Sequence, residues 1–296
     1  MTRPQLFLIL GTVVLLIVIA AAGYGGYWYY QADQAVRSQF ASTTQAFRQA
    51  QDALALEQAK NAQLLATLTD AQAKNGNFES QIGEIANTVG TLTKIAHTDP
   101  QLLAKYSKVY FLNENYIPAK LSDIPSAQTY DAKRQYQFET DALPFLEALL
   151  SDANDVKLNS PLEVVSAYRS YGEQSSLKAS YKVTYGSGSA NAFSADQGYS
   201  EHQLGTALDF TTAKLGANFA SGFDTTDAYA WLTTNAYKYG FILSYPKGNG
   251  YYVYEPWHWR FVGVKLATYL HDQGQYFYNL DQRTINSYLP NLFDPS

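Results

Sequence analysis

Two short segments of this 296-residue chain gather the residue types that bind metals. The first is Ser200-Glu201-His202-Gln203-Leu204-Gly205-Thr206-Ala207-Leu208-Asp209-Phe210. The second is Glu255-Pro256-Trp257-His258-Trp259-Arg260. A catalytic zinc takes three nitrogen or oxygen ligands and keeps a further position open for water. His202, Asp209 and His258 make such a set, enough for one Zn2+ ion. A zinc ion polarises a carbonyl and lowers the pKa of its water to about 7. A carboxylate must then take the water's proton and pass it to the leaving amine. Glu255, three residues before His258, suits that task. Pro256 bends the chain ahead of a strand in which His258 and Arg260 share a face.

Each of these residues also has an ordinary reading. The chain has 4 histidines, and His97 and His271 read as structural. Asp209 inside an apolar strand is costly unless it is paired or bound; a cap or turn is the alternative. Glu201 would point away from the metal, as a surface or supporting residue. Arg260 is balanced between an ion pair and a place in the site. The chain has no cysteine, which excludes disulfides, thiolate metal sites, a cysteine nucleophile and a lipoprotein anchor. Net charge is -5, so the basic footprint of a nucleic-acid binder is missing. No glycine loop of the phosphate-cradling kind is present. Hydrophobic residues at 46% against 16% charged support a packed core.

The elements that must hold these side chains mix helix and strand without a βαβ rhythm, so the class is α+β. Apolar spacing predicts helices over Asp141–Ala153, Asp227–Tyr239 (stopped by Gly240) and Lys265–Gln273. Strands are predicted over Leu162–Tyr168, Thr206–Phe210, Phe241–Tyr245, Tyr251–Tyr254 and Trp257–Val262. Pro246-Lys247-Gly248-Asn249-Gly250 reads as the turn between two of them.

The first part of the chain has another character. No charge occurs from Pro4 to Ala32, and Leu6–Ala22 is almost continuously apolar. About 20 such residues cross a bilayer core. Tyr24, Tyr27, Trp28, Tyr29 and Tyr30 follow as an interfacial belt. Arg3 and Ala20-Ala21-Ala22 also fit a cleaved signal peptide. The belt and the apolar length favour a retained anchor, and either way the remainder lies outside the cytoplasm. Residues 31–98 are rich in helix formers and contain no Pro. Phe40, Phe47, Leu54 and Leu68 recur at sevens, but Asn61 interrupts them. Rows through Thr44, Gln51 and Gln58 are polar, so the coiled-coil signal is poor. Lys74-Asn75-Gly76-Asn77 reads as a break or hairpin point. A solvated spacer fits this stretch, with self-association left open. The expected organisation is an anchor over 1–30, a helical spacer over 31–98 and a catalytic domain over 99–296.

From about Tyr106 to Leu270 the chain resembles the VanY-type D-alanyl-D-alanine carboxypeptidases. These belong to the zinc peptidase group that includes lysostaphin-like enzymes and hedgehog-type domains. The matching pieces run in order: Asn115-Tyr116-Ile117-Pro118, Ser166-Ala167-Tyr168-Arg169-Ser170 with Gln174, and the segment from Ser200 to Asp209. Trp231-Leu232, Tyr239-Gly240-Phe241, Tyr245-Pro246 and Glu255 to Gly263 complete the series. The resemblance implies a small antiparallel sheet with flanking helices, zinc on His202, Asp209 and His258, and Glu255 as base. It also implies that Arg169 binds the substrate's carbonyl or carboxylate side and steadies the oxyanion, as a two-point cationic donor can. Gln174 and Ser200 are implied substrate contacts. The sequence departs from the family at Asp196-Gln197-Gly198, where a Pro-Gly pair is usual. A Gly-, Ser- and Tyr-rich insertion over Tyr181–Ala195 would border the groove.

The function this implies is release of a terminal D-alanine from peptidoglycan stem peptides by an enzyme at the outer face of the cell membrane, or secreted if the leader is cleaved. L,D-carboxypeptidase action and cross-link endopeptidase action are the nearest alternatives. A non-catalytic wall-binding module would have lost a ligand or the base, and all four residues are present. A structural membrane protein would leave the two histidine segments unexplained.

Overall fold

A computed structural model describes residues 3–105, 112–185 and 195–295. Two compact units divide the chain, Met1–Glu84 and Ile85–Ser296. Helix α1 (Arg3–His97) is unbroken. The expected break at Lys74-Asn75-Gly76-Asn77 therefore does not occur. A glycine inside a helix costs only about 1 kcal/mol, and the apolar sevenfold spacing runs on in phase across Gly76. The N-terminal part of α1 is long and apolar enough to cross a membrane, by length and composition.

The second unit holds the packed core. A four-stranded antiparallel sheet has the order β3 (Leu162–Ser166), β4 (Ala207–Thr212), β6 (His258–Phe261), β5 (Phe241–Leu243). A separate antiparallel pair joins β1 (Leu121–Asp123) to β2 (Gln137–Glu139). Helix α2 (Leu143–Asp155) buries Leu146, Leu149, Leu150 and Ala153, a helical stripe. These meet a core that includes Phe138, Phe210, Phe241 and Phe261, all buried. Burying each leucine is worth roughly 1.5–3 kcal/mol.

Helix α3 (Tyr171–Tyr185) follows β3, so the start of the expected Tyr181–Ala195 insertion is helical. Its stretch from 186 to 194 lies outside the described residues. Helix α4 (Asp227–Asn235) starts where the Thr226 side chain accepts from the Tyr229 N–H, and a tighter turn carries it to Gly240 at φ 83. Helices α5 (Val264–Gln273) and α6 (Gln282–Asn286) complete the unit. Tyr251–Tyr254 is not a strand. The Tyr251 and Tyr252 N–H groups both donate to the Asn249 side chain, so the start of this segment is drawn into the turn rather than a ladder.

Gly205 sits at φ 73 between the turn that carries His202 and strand β4. A Cβ there would lie 2.9 Å from Leu121 Cδ2 and 3.1 Å from Pro118 Cγ. Gly205→Ala is expected to cost about 1–2 kcal/mol from the left-handed backbone alone. Thermal unfolding should show a midpoint several degrees lower; an unchanged midpoint would show that this turn relaxes freely.

Candidate metal centre

Strand pairing does the first part of the work. β4 and β6 run antiparallel with Asp209 opposite His258 and Ala207 opposite Arg260. His202 comes from a short 3-10 turn, Glu201–Leu204, just before β4. One donor atom from each of His202, Asp209 and His258 lies within 4.8 Å of the others, and all three residues are buried. His202 Nε2 stands 3.2 Å from Asp209 Oδ2. His258 Nδ1 stands 3.0 Å from Asp209 Oδ1.

The outer nitrogen of each ring is tied back. His202 Nδ1 donates to the Ala167 carbonyl at 2.7 Å, which leaves Nε2 facing Asp209. His258 Nε2 bonds the Glu201 carboxylate at 2.9 Å, which leaves Nδ1 facing Asp209. Tyr245 stacks on the His258 ring, 4.6 Å between centroids and 3° from parallel. The two imidazoles are therefore fixed in orientation as well as in place.

Glu201 is the residue that sequence reasoning undervalued. It is 0% exposed, not at the surface. Its Oε1 accepts from Arg260 Nη1 at 2.8 Å and from the Tyr278 hydroxyl at 2.7 Å. Arg260, also 0% exposed, donates its other terminus to the Leu102 and Ala104 carbonyls. This decides the role of Arg260: it is an ion-pair residue behind the histidines. His258 and Arg260 do share a strand face, and one carboxylate joins them. The signal lay in the spacing, since a cation two residues after a strand histidine needs an anion on the same face.

Glu255 opens a tight turn into β6, where the His258 N–H donates to its carbonyl at 3.1 Å, and its carboxyl interacts electrostatically with His258, Asp209 and Arg169. Arg169 follows β3, with Nη2 4.0 Å from Asp209 Oδ2. Gln174 on α3 accepts from Arg169 Nη1 at 2.5 Å and donates to the Ala195 carbonyl. It is buried, so it stands behind Arg169. Ser200 is buried at the start of the His202 turn. His97 ends α1, and His271 stacks on Tyr237 and bonds Asp272; neither joins the cluster.

The electrostatics favour a bound positive charge. Burial opposes ionisation of Asp209, yet His202 and His258 hold it well below the usual carboxylate range. Burial likewise opposes a charged Glu201, and Arg260 and then His258 outweigh it. Burial works against a charged His258, but its bonds to Asp209 and Glu201 push it up to about 10. Burial lowers His202. Burial, opposed by His258, pushes the Glu255 carboxyl up to about 7. Two buried carboxylates thus keep positive charge on His258, and the donor set of His202, Asp209 and His258 fits a divalent cation of the zinc kind.

A family model described as VanY, D-alanyl-D-alanine carboxypeptidase, matches residues 135–264. The chain is 34% identical over 209 residues to YodJ of Bacillus subtilis, covering 69% of this chain and 75% of that protein. It is 33% identical over 184 residues to a D-alanyl-D-alanine carboxypeptidase of Enterococcus faecalis, covering 57% of this chain and 63% of that one. Among solved structures it is similar to the LdcB LD-carboxypeptidase, with TM-score 0.55 and 32% identity over 61% of this chain and 85% of that one. The chain belongs to the VanY family of D-alanyl-D-alanine carboxypeptidases.

Removing the Glu201 carboxylate would leave the Arg260 guanidinium buried without its anion. Glu201→Ala is expected to destabilise the metal-free protein by about 3–5 kcal/mol. Chemical denaturation measures this, and a loss below about 1 kcal/mol would show that Arg260 does not depend on it.

Proposed function

We propose that the chain is a zinc-dependent D,D-carboxypeptidase that removes the terminal D-alanine of peptidoglycan stem peptides. The observation that carries this reading is the convergence of His202, Asp209 and His258 within 4.8 Å, with Glu255 and Arg169 beside them. His202 Nε2, an Asp209 oxygen and His258 Nδ1 would hold one zinc ion. When bound, zinc would polarise the scissile carbonyl and acidify a water.

The protein's own residues do the rest. Glu255 takes a proton from the attacking water as its oxygen bonds to the carbonyl carbon. It passes that proton to the nitrogen of the departing D-alanine as the carbon–nitrogen bond breaks. A carboxylate raised toward neutrality by burial is matched to both halves of that exchange. Arg169 presents a fixed cation to the peptide's terminal carboxylate and to the negative charge that grows on the carbonyl oxygen. Gln174 holds the Arg169 guanidinium, and Ser200 lies at the approach to His202. Glu201 keeps His258 turned so that Nδ1 faces the metal.

In the same reading residues 1–30 anchor the enzyme as a single span, 31–98 form the spacer and 99–296 the catalytic domain outside the cytoplasm. The likeness to the LdcB LD-carboxypeptidase favours L,D-carboxypeptidase action as a second reading.

Defined muropeptides separate the readings. D-Alanine released from pentapeptide stems supports the first, release from tetrapeptide stems the second, and cleavage of cross-linked dimers an endopeptidase. If the zinc-loaded enzyme released nothing from any of them, the proposal would fall. Glu255→Ala should keep its zinc while turnover drops about 10²–10⁴-fold. His202→Ala should lose the zinc itself, measured by metal analysis. Chelation should abolish turnover, and added zinc should restore it.

A further inference from the structure

Between Val36 and Leu92 the chain has 13 large aliphatic or Phe side chains, and every one is exposed on α1. The row that starts at Phe40, Phe47, Leu54 and Leu68 continues to Ile82 and Val89, with Asn61 and Asn75 as its polar members. Its partner row lies three residues after each of these, not four. That row includes Val36, Leu64, Phe78, Ile85 and Leu92, with Ala50 and Ala71 between them and Thr43 and Glu57 as its polar members. The two rows hold all 13 except Leu56 and Leu65. Spacing that alternates three and four is the pattern of a left-handed supercoil. The unbroken course of α1 keeps the rows in phase through Gly76.

We propose that this stalk pairs with a second copy of the same chain as a parallel, in-register two-stranded coiled coil. Asn61 and Asn75 both occupy the first row. In the unslipped parallel alignment each meets its own counterpart, where two amides bond one another, and asparagine at this position selects dimers and register. Charge agrees. Lys74 and Glu79 flank the seam five residues apart, so Lys74 of each helix faces Glu79 of the other. Lys60 and Lys74 lie on one flank, and an antiparallel pair crossing near residue 67 would bring those lysines together. Lys74 otherwise holds an exposed pair with Asp70 at 2.8 Å, an interaction of little worth that it can leave. An anchor at the N-terminus would orient both copies alike; that one argument rests on the membrane reading above.

The absence of cysteine makes the test clean. In full-length protein in lipid nanodiscs, Ile85→Cys places a thiol on the seam and Ala66→Cys places one on the outer face. Under mild oxidation Ile85→Cys should form a disulfide-linked dimer at least ten-fold faster than Ala66→Cys, and light scattering of the parent protein in detergent should give the mass of two chains. Lys74→Glu should slow the Ile85→Cys reaction, and adding Glu79→Lys should restore it. Equal rates at the two sites, a one-chain mass or a three-chain mass would overturn the proposal. Neither residue belongs to the metal centre, so muropeptide hydrolysis should match wild type in both, and loss of the peptidase reading would leave this result intact.

Discussion

The Glu201 carboxylate receives Arg260, His258 and Tyr278 on two oxygens while wholly removed from water. An ion buried that deeply costs several kcal/mol unless its partners are well placed. Its neighbours are therefore constrained together. Arg260 must lie on the same face of β6 as His258, and the turn that carries Glu201 also carries His202. The ion pair behind the site sets the strand register in front of it.

That register explains the economy of the centre. Asp209 faces His258 because β4 and β6 are paired there. The bulge between Val164 and Ser166 on β3 then shifts that strand so that Ser166 meets Asp209. Arg169, three residues further on, donates to the Ser166 hydroxyl and arrives near the same carboxylate. Four sheet or turn positions converge, and backbone geometry fixes most of the distances.

Much of this was legible in residue types. With no cysteine and four histidines, a metal site could be built in few ways, and an aspartate inside an apolar strand needed a partner. Helices α2, α4 and α5 follow from their apolar spacing, and α4 also from Gly240 at its end. The failures have physical causes. Glu201 was undervalued because a residue next to a ligand points elsewhere along a regular backbone, and here elsewhere is the core. Tyr251–Tyr254 has strand-like composition, yet Asn249 takes its first two N–H groups. The second apolar row of α1 lies three residues after the first rather than four, and Gly76 sits inside the helix because an isolated helical glycine costs only about 1 kcal/mol.

The pairing of Asp209 with His258 across two strands also bears on durability. The chain from Asp209 to His258 includes a helix, β5 and the Pro246–Gly250 turn, and no disulfide closes it. A cation shared by those two residues would cross-link the base of that loop. At a thousand times its dissociation constant such an ion adds about 4 kcal/mol to the folded state. The same atom that would serve hydrolysis would then be the fastener that a chain without cysteines otherwise lacks.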